Sequence, residues 1–342
     1  MSRQKITPAE LPATLHAITS DVYQVHIPLP FLLNRVNVYL VRGERGWTIL
    51  DTGLHHPPAL EVWHGVFDAL AITPNQIEQI VLTHIHPDHY GLAGWLQAFA
   101  PDADVRLSPV ERDQARLYWR ENGDWISAIR AQLHQHDTPD DLIHAIIDGI
   151  DHTRQMTFPH PVRETVIDPG ETVRIGDRHC QAIHAPGHAD GQLIFFDEGD
   201  GLLFSGDHVL NKITPNIGLW STGDPHPLTR YLASLRALRD LPVRLALPGH
   251  KTLIENWSGR IDELLAHHAA RLTHIQDAAA KRRGHGGISG YETARALFDF
   301  ERLTTHEMRF AIMEALAHLE YLCAHGELQR EISGGQVRYQ SI

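Results

Sequence analysis

Apolar and polar positions alternate in short bursts through the first hundred residues, the signature of strands broken by turns. Asp21–Ile27, Val36–Val41 and Trp47–Leu50 are β-branched or alternating and predict strands, the third closed by Asp51-Thr52-Gly53. Ala59–Ala71 carries Val62, Val66 and Leu70 at helical spacing. Ile80–Thr83 is a short apolar run, Leu92–Phe99 reads as a helix and Val105–Leu107 as a strand. From Pro109 to about His152 the strand pattern stops, and two or three helices are predicted, with Tyr118, Trp119, Trp125, Ile129 and Leu133 among their apolar positions. Strands resume at Thr165–Ile167, Thr172–Ile175, Cys180–His184, Gln192–Phe196 and Leu202–Phe204. Pro227–Leu241 predicts a helix with Leu228, Leu232, Leu235 and Leu238 on one face, and Val243–Leu247 a further strand.

Beyond Ile254 the pattern is mainly helical: Ile261–Ala280, Ser289–Phe298 and Thr305–His325. Leu328–Ile332 and Val337–Gln340 flank Ser333-Gly334-Gly335 and predict a hairpin. Three helices followed by a hairpin is a winged-helix order. A chain of 342 residues is expected to hold about two domains. They are placed at 1–258, with the helical insertion at about 109–152, and at 259–342.

Charge narrows the function classes. The net charge is −12, of which residues 1–258 contribute −11 and residues 259–342 contribute −1. Binding to nucleic acid or anionic membrane needs a basic surface, and only Lys281-Arg282-Arg283 clusters in the C-terminal segment. No apolar run reaches transmembrane length, and Met1–Ser20 lacks the basic-then-apolar order of a secretory leader. Two cysteines, Cys180 and Cys323, make no disulfide framework, and a reducing, cytoplasmic setting is expected. Histidine is over-supplied at 26 residues, which directs attention to metal chemistry.

The decisive stretch is Thr83-His84-Ile85-His86-Pro87-Asp88-His89. In extended backbone, positions two apart point the same way, so His84 and His86 are placed to grip one ion. Pro87 keeps His86 out of the α region. Asp88 and His89 then fall where the next helix begins, where a carboxylate is favoured in its ionised form. Three later turns each deliver one ligand type directly after a strand and a glycine: Pro186-Gly187-His188, Ser205-Gly206-Asp207 and Pro248-Gly249-His250.

This ordered set resembles the metallo-β-lactamase fold superfamily, with its HxHxDH motif and its later His, Asp and His, over about residues 18–255. Leu50-Asp51-Thr52-Gly53 matches the family's first motif. The resemblance implies an α+β chain folded as an αββα sandwich, with two metal ions at one edge. The first ion takes His84, His86 and His188, and the second takes Asp88, His89 and His250. Asp207 bridges both, and Asp51 orients the ligand loop from behind. The C-terminal segment resembles the winged-helix appendage of one branch of the superfamily, the glyoxalase II-like and β-CASP-lacking endoribonuclease-like branch. The resemblance is carried by His267-His268-Ala269-Ala270-Arg271-Leu272 and Ala317-His318-Leu319-Glu320-Tyr321-Leu322.

Nitrogen and oxygen ligands without sulfur suit two Zn(2+) ions and also admit iron or manganese. Two ions about 3.5–4 Å apart share a hydroxide at neutral pH, and that hydroxide attacks a carbonyl or phosphoryl centre. Asp88 is the candidate to align it and accept its proton. The expected function is hydrolysis of a carboxylic ester, thioester or lactone of a small molecule. The alternative is a metal-dependent endoribonuclease or phosphodiesterase that binds nucleic acid through the winged helix. Tyr90, Lys212 and Trp220 are candidate substrate contacts. The insertion, with Tyr118, Trp119 and Trp125, is expected to form a lid over the metal edge or to pair two subunits in a homodimer. His208 is expected to point away from the site, and His134, His136, His267 and His268 to be solvated helix residues.

Overall fold

The computed structural model describes residues 12–120 and 124–342. Residues 1–11, part of the stretch read for a leader, and residues 121–123 within the insertion lie outside the described residues. Strands β1 (Leu15–Ala17), β2 (Val22–Pro28), β3 (Arg35–Arg42) and β4 (Trp47–Leu50) pair antiparallel in sequence order. Strands β5 (Ile77–Val81), β6 (Asp104–Leu107) and β7 (Glu164–Val166) extend the same sheet in parallel. Helices α1 (Pro57–Leu70), α2 (Pro87–Tyr90) and α3 (Ala93–Phe99) occupy the first two parallel crossovers.

The third crossover is the helical insertion. It comprises α4 (Pro109–Ala115), a π-helical turn at Arg116–Arg120, α5 (Trp125–Gln135) and α6 (Asp140–Gln155). Since β7 pairs with β6, the insertion leaves and rejoins one sheet edge. The second sheet has the order β12-β11-β10-β9-β8, built from β8 (Thr172–Ile175), β9 (Arg178–His184), β10 (Leu193–Asp197), β11 (Leu202–Gly206) and β12 (Leu245–Pro248). Helix α7 (Pro227–Leu238) links β11 to its parallel neighbour β12. The chain ends with α8 (Trp257–Lys281), α9 (Gly290–Leu297), α10 (Thr305–Ala324) and the hairpin β13 (Leu328–Ser333) and β14 (Gln336–Ser341).

The period of two along the strands sorts side chains between layers. Tyr39 and Val41 of β3 meet Leu193, Phe195, Leu202 and Phe204 of the second sheet in the core between the sheets. Val36, Val38 and Leu40 of the same strand face outward onto α1 and α3, and Ile194 and Phe196 face α7. Helices therefore cover both outer faces of a two-sheet sandwich, as the family resemblance implies.

The insertion belongs to a separate core. Trp125, Ile129, Leu133, Ile143, Ile146, Ile147 and Ile150 pack with Ile312, Met313, Leu316, Leu319, Val337 and Tyr339 of the C-terminal segment. Trp125 is thus buried within the chain and needs no second subunit to cover it. Helix α8 ties the two bodies together. Its Trp257, Ile261 and Leu264 pack on the sandwich, while Ile275 and Ala279 enter the second core. The cut drawn at Gly259 falls in the first turn of this helix. Two helix histidines expected in solvent are buried by this arrangement: His268 on α8, and His136 just after α5. His134 is exposed and His267 half-buried. No described helix is long and apolar enough to cross a membrane.

Candidate metal centre

The seven expected ligands converge at one edge of the sandwich, each at the C-terminal end of a strand. His84 and His86 follow β5, and Asp88 and His89 lie in the single turn of α2. His188, Asp207 and His250 follow β9, β11 and β12. Two glycines make this convergence possible. Gly187 has φ 129° and lies against Tyr231, where a Cβ would come within 2.4 Å. A Cβ on Gly249 would stand 2.2 Å from Asp207 Oδ1, so only glycine lets His250 close on the cluster.

The ligand atoms form three overlapping groups: His84, His86 and His188; His84, His89 and Asp207; and Asp88, His89 and His250. His86 Nδ1 lies 3.1 Å from His84 Nε2 and 2.8 Å from His188 Nε2. His250 Nε2 lies 3.1 Å from Asp88 Oδ2 and 3.2 Å from Asp207 Oδ2. Asp207 Oδ1 is 3.5 Å from His89 Nε2, and its Oδ2 is 3.6 Å from His188 Nε2. Asp207 therefore stands between the two outer groups.

Three of the five rings are aimed from the far side. His89 Nδ1 donates to Asp51 Oδ2 at 2.8 Å, His188 Nδ1 to the Asn216 carbonyl at 2.9 Å, and His250 Nδ1 to the Arg35 carbonyl at 2.9 Å. These bonds leave the three Nε2 lone pairs directed into the cluster. Asp51 also accepts the Thr83 backbone N–H at 2.8 Å and its hydroxyl at 2.9 Å, fixing the start of the ligand loop.

Converging lone pairs and carboxylates repel unless a cation lies among them. His89 Nε2 and Asp207 Oδ1 are buried with no hydrogen-bond partner. The donor set of imidazoles and carboxylates suits a borderline divalent ion. On both counts the residues fit a metal centre. The local field agrees with this. Burial opposes charge on His89, yet Asp207, Asp51 and Asp88 outweigh it and hold that imidazole well above its ordinary value. His250 is pushed up to about 10 against burial, by Asp207 and Asp88. The other pole is different: burial, reinforced by His188, pushes His86 down to about 3, which keeps its lone pair free.

Sequence reasoning missed the residues that brace the ligand loops. Glu111, on α4, is fully buried. It accepts the backbone N–H of Ile85 at 2.8 Å with one oxygen and that of Gly191 at 2.8 Å with the other. Burial pushes its carboxyl up to about 7. Trp119 Nε1 donates to the Ile85 carbonyl at 3.0 Å. Asn216 links His188 to α10 by donating to the Phe310 carbonyl at 3.1 Å and to Glu314 at 3.0 Å. Only the Ser108 cap, whose Oγ accepts the Glu111 N–H at 3.1 Å, gave a local signal for any of these.

The centre opens into a cavity of about 340 Å³. His86, Asp88, His188, Asp207 and His250 reach it, and its walls include Phe31, Tyr118, Trp119, Trp125, Trp220 and Phe310. Of the three expected substrate contacts, Trp220 lines the cavity. Tyr90 does not: its ring is fully buried in the core and its hydroxyl accepts from Arg120 at 3.0 Å. Lys212 does not either, because a left-handed backbone, φ 66°, leaves it exposed outside the cavity wall. His208 turns away from the ligands, its Nε2 3.1 Å from Ser234 Oγ.

The family model described as Metallo-beta-lactamase superfamily matches residues 33–250. The chain belongs to the metallo-beta-lactamase superfamily. Within that superfamily, a model of a metallo-beta-lactamase-like C-terminal domain matches residues 272–342. A metallo-beta-lactamase family protein from Thermus thermophilus superposes with TM-score 0.85 at 32% identity, over 95% of this chain and 100% of that one. A beta-lactamase domain protein from Burkholderia ambifaria gives TM-score 0.86 at 30% identity, over 97% and 96%. A probable metallo-hydrolase of Bacillus subtilis is 25% identical over 95% of this chain and 99% of its own length. An atrochrysone carboxyl ACP thioesterase of Aspergillus fumigatus is 21% identical over 91% of this chain and 62% of its own length. The superfamily member described here is accordingly a metal-dependent hydrolase in fold and in site composition.

Proposed function

We propose that the protein is a dinuclear zinc hydrolase of carboxylic esters or thioesters, lactones included. The observation that carries this reading is the placement of two ligand groups, joined at Asp207, on the floor of a cavity whose walls are mainly apolar and aromatic. His84, His86 and His188 would hold one ion, Asp88, His89 and His250 the other, and Asp207 both. The ions supply, when bound, a water acidified toward neutrality and a Lewis acid for the oxygen that gains charge.

The rest of the work falls to the chain. Asp88 keeps 20% of its side-chain surface exposed where Asp207 keeps 7%. With Oδ2 turned to His250, Asp88 has Oδ1 available to hold the proton of the attacking water and to return it to the leaving group. The aromatic walls take the acyl or aryl portion and exclude bulk water. The likeness to a thioesterase relative supports the acyl-transfer class. In this reading the C-terminal helices and hairpin are a winged-helix-type appendage whose α10 serves as a cavity wall, through His306, Arg309 and Phe310, and not as a nucleic-acid binder.

The test is one substrate panel of aryl esters, acyl thioesters, lactones and single-stranded RNA, run on metal-replete and chelated protein with elemental analysis alongside. Ester or thioester turnover that needs close to two ions per chain is expected. RNA cleavage without acyl turnover, or full activity without metal, would overturn the proposal.

A further inference from the structure

The wall that α10 gives to the cavity contains a charge without a partner. Arg309 lines the cavity and is the one Lys or Arg among the described lining residues. Its guanidinium stacks 4.5 Å from the Phe310 ring centre and 5.7 Å from that of Trp220. Its Nε is buried with no hydrogen-bond partner. Burial alone pulls the group down to about 10, and no carboxylate acts in the other direction. Three half-buried arginines elsewhere in the chain are answered by carboxylates: Arg178 by Asp21 and Asp197, Arg120 by Glu164, Arg271 by Glu314.

Stacking on aromatic faces offsets only part of what it costs to bury a guanidinium. The planar fork is built for two parallel hydrogen bonds to a carboxylate or phosphate. One turn earlier on the same face of α10, His306 also lines the cavity and lies close enough to Asp88 to feel its charge. Arg309 and the candidate metal centre therefore share one cavity.

We propose that Arg309 binds an anionic group, a carboxylate or a phosphate, carried by the substrate at a distance from the scissile carbonyl. The enzyme then prefers acyl compounds tethered to such an anion over neutral ones of the same size. This rests on the acyl-hydrolase reading above.

Two matched pairs of thioesters test it on the metal-loaded enzyme. In the first pair the acyl chain ends in a carboxylate or in the corresponding primary amide. In the second a neutral acyl group is carried by a thiol with or without a phosphate. At least a tenfold preference in kcat/KM for the charged member of one pair is expected, and the pair that shows it identifies the source of the anion. Arg309→Met should collapse that ratio to near one, and Arg309→Lys should retain part of it. Equal turnover within both pairs, or a preference that survives Arg309→Met, overturns the proposal. Calorimetric binding of the matching non-hydrolysable amides separates this idea from the hydrolase reading. An Arg309-dependent tenfold gap in affinity without any turnover would sustain the anion site and defeat the hydrolase; turnover without that gap would do the reverse.

Discussion

Glu111 places one carboxylate oxygen 2.8 Å from the backbone nitrogen of Ile85, the residue between His84 and His86. Its other oxygen takes the N–H of Gly191, three residues beyond His188. One buried carboxylate thus braces two ligand loops that arrive from different sheets. A Gln side chain has one acceptor oxygen and cannot serve both N–H groups. Glu111→Gln should therefore weaken metal binding, and Glu111→Ala more so, by about 10–100-fold, the range typical of supports behind ligands. Competition with a chelator of known affinity measures this. Unchanged affinity in both variants would remove Glu111 from the supporting frame.

The ligand set was legible because its members are local. Four sit within six residues, and the other three each follow a strand and a glycine, so order along the chain already encodes the rim of the sandwich. Glu111, Asn216 and Arg309 were not legible, because helices and loops bring them to the site and no spacing in the sequence records that packing; Trp119 was legible as a wall residue but not as the donor that holds the ligand loop. Lys212 shows the converse. It was a candidate substrate contact, but it lies exposed on a left-handed turn outside the cavity lining. His268 is buried, against expectation, for a similar reason. A lone histidine on a helix is usually wet, but α8 is covered on one side by the sandwich and on the other by α10.

Asp207 and Asp51 should fail differently. Asp207 lies within 3.6 Å of nitrogens from both outer groups, so in the dinuclear reading proposed above Asp207→Ala should reduce bound metal from two ions per chain to one or fewer and abolish turnover. Asp51 touches only His89 among the ligands, through Nδ1 at 2.8 Å. Asp51→Asn should lower affinity for the ion held by His89 by about 10–100-fold and spare the other. Elemental analysis after dialysis against graded chelator distinguishes one loss from two. Two ions retained by Asp207→Ala would defeat its bridging role.

Two cavity tryptophans should also separate. Trp220 is half-buried in the cavity wall and packs on Phe310 and Arg309. Trp220→Ala should raise KM for bulky acyl substrates about tenfold, from roughly 1–2 kcal/mol of lost apolar contact, with kcat and metal content retained. Trp119 holds the Ile85 carbonyl at 3.0 Å, inside the ligand loop. Trp119→Ala should lower metal affinity as well as raising KM. Steady-state kinetics beside metal analysis reads both, and identical behaviour of the two variants would contradict this division.

The buried pair of His268 and His318 gives the protein an acid-sensitive joint away from the metal centre. His268 Nδ1 lies 3.0 Å from His318 Nε2, and His318 Nδ1 donates to the Glu314 carbonyl at 2.8 Å. That arrangement makes His318 Nε2 the acceptor and both rings neutral. Burial, with each pushed further by neighbouring positive charge, pulls His268 down to about 2 and His318 to about 3. In the unfolded chain both return to about 6.5. Below that pH the unfolded state binds protons that the folded state refuses, so stability is complete above about pH 7 and falls as pH drops from there. Each histidine contributes a slope approaching about 1.4 kcal/mol per pH unit. Urea midpoints of chelated protein between pH 7.5 and 5 should fall steeply. The fall should be shallower in the His268→Leu, His318→Leu double variant, which joins α8 to α10 with side chains that do not titrate. An identical pH slope in that variant would place the acid sensitivity elsewhere.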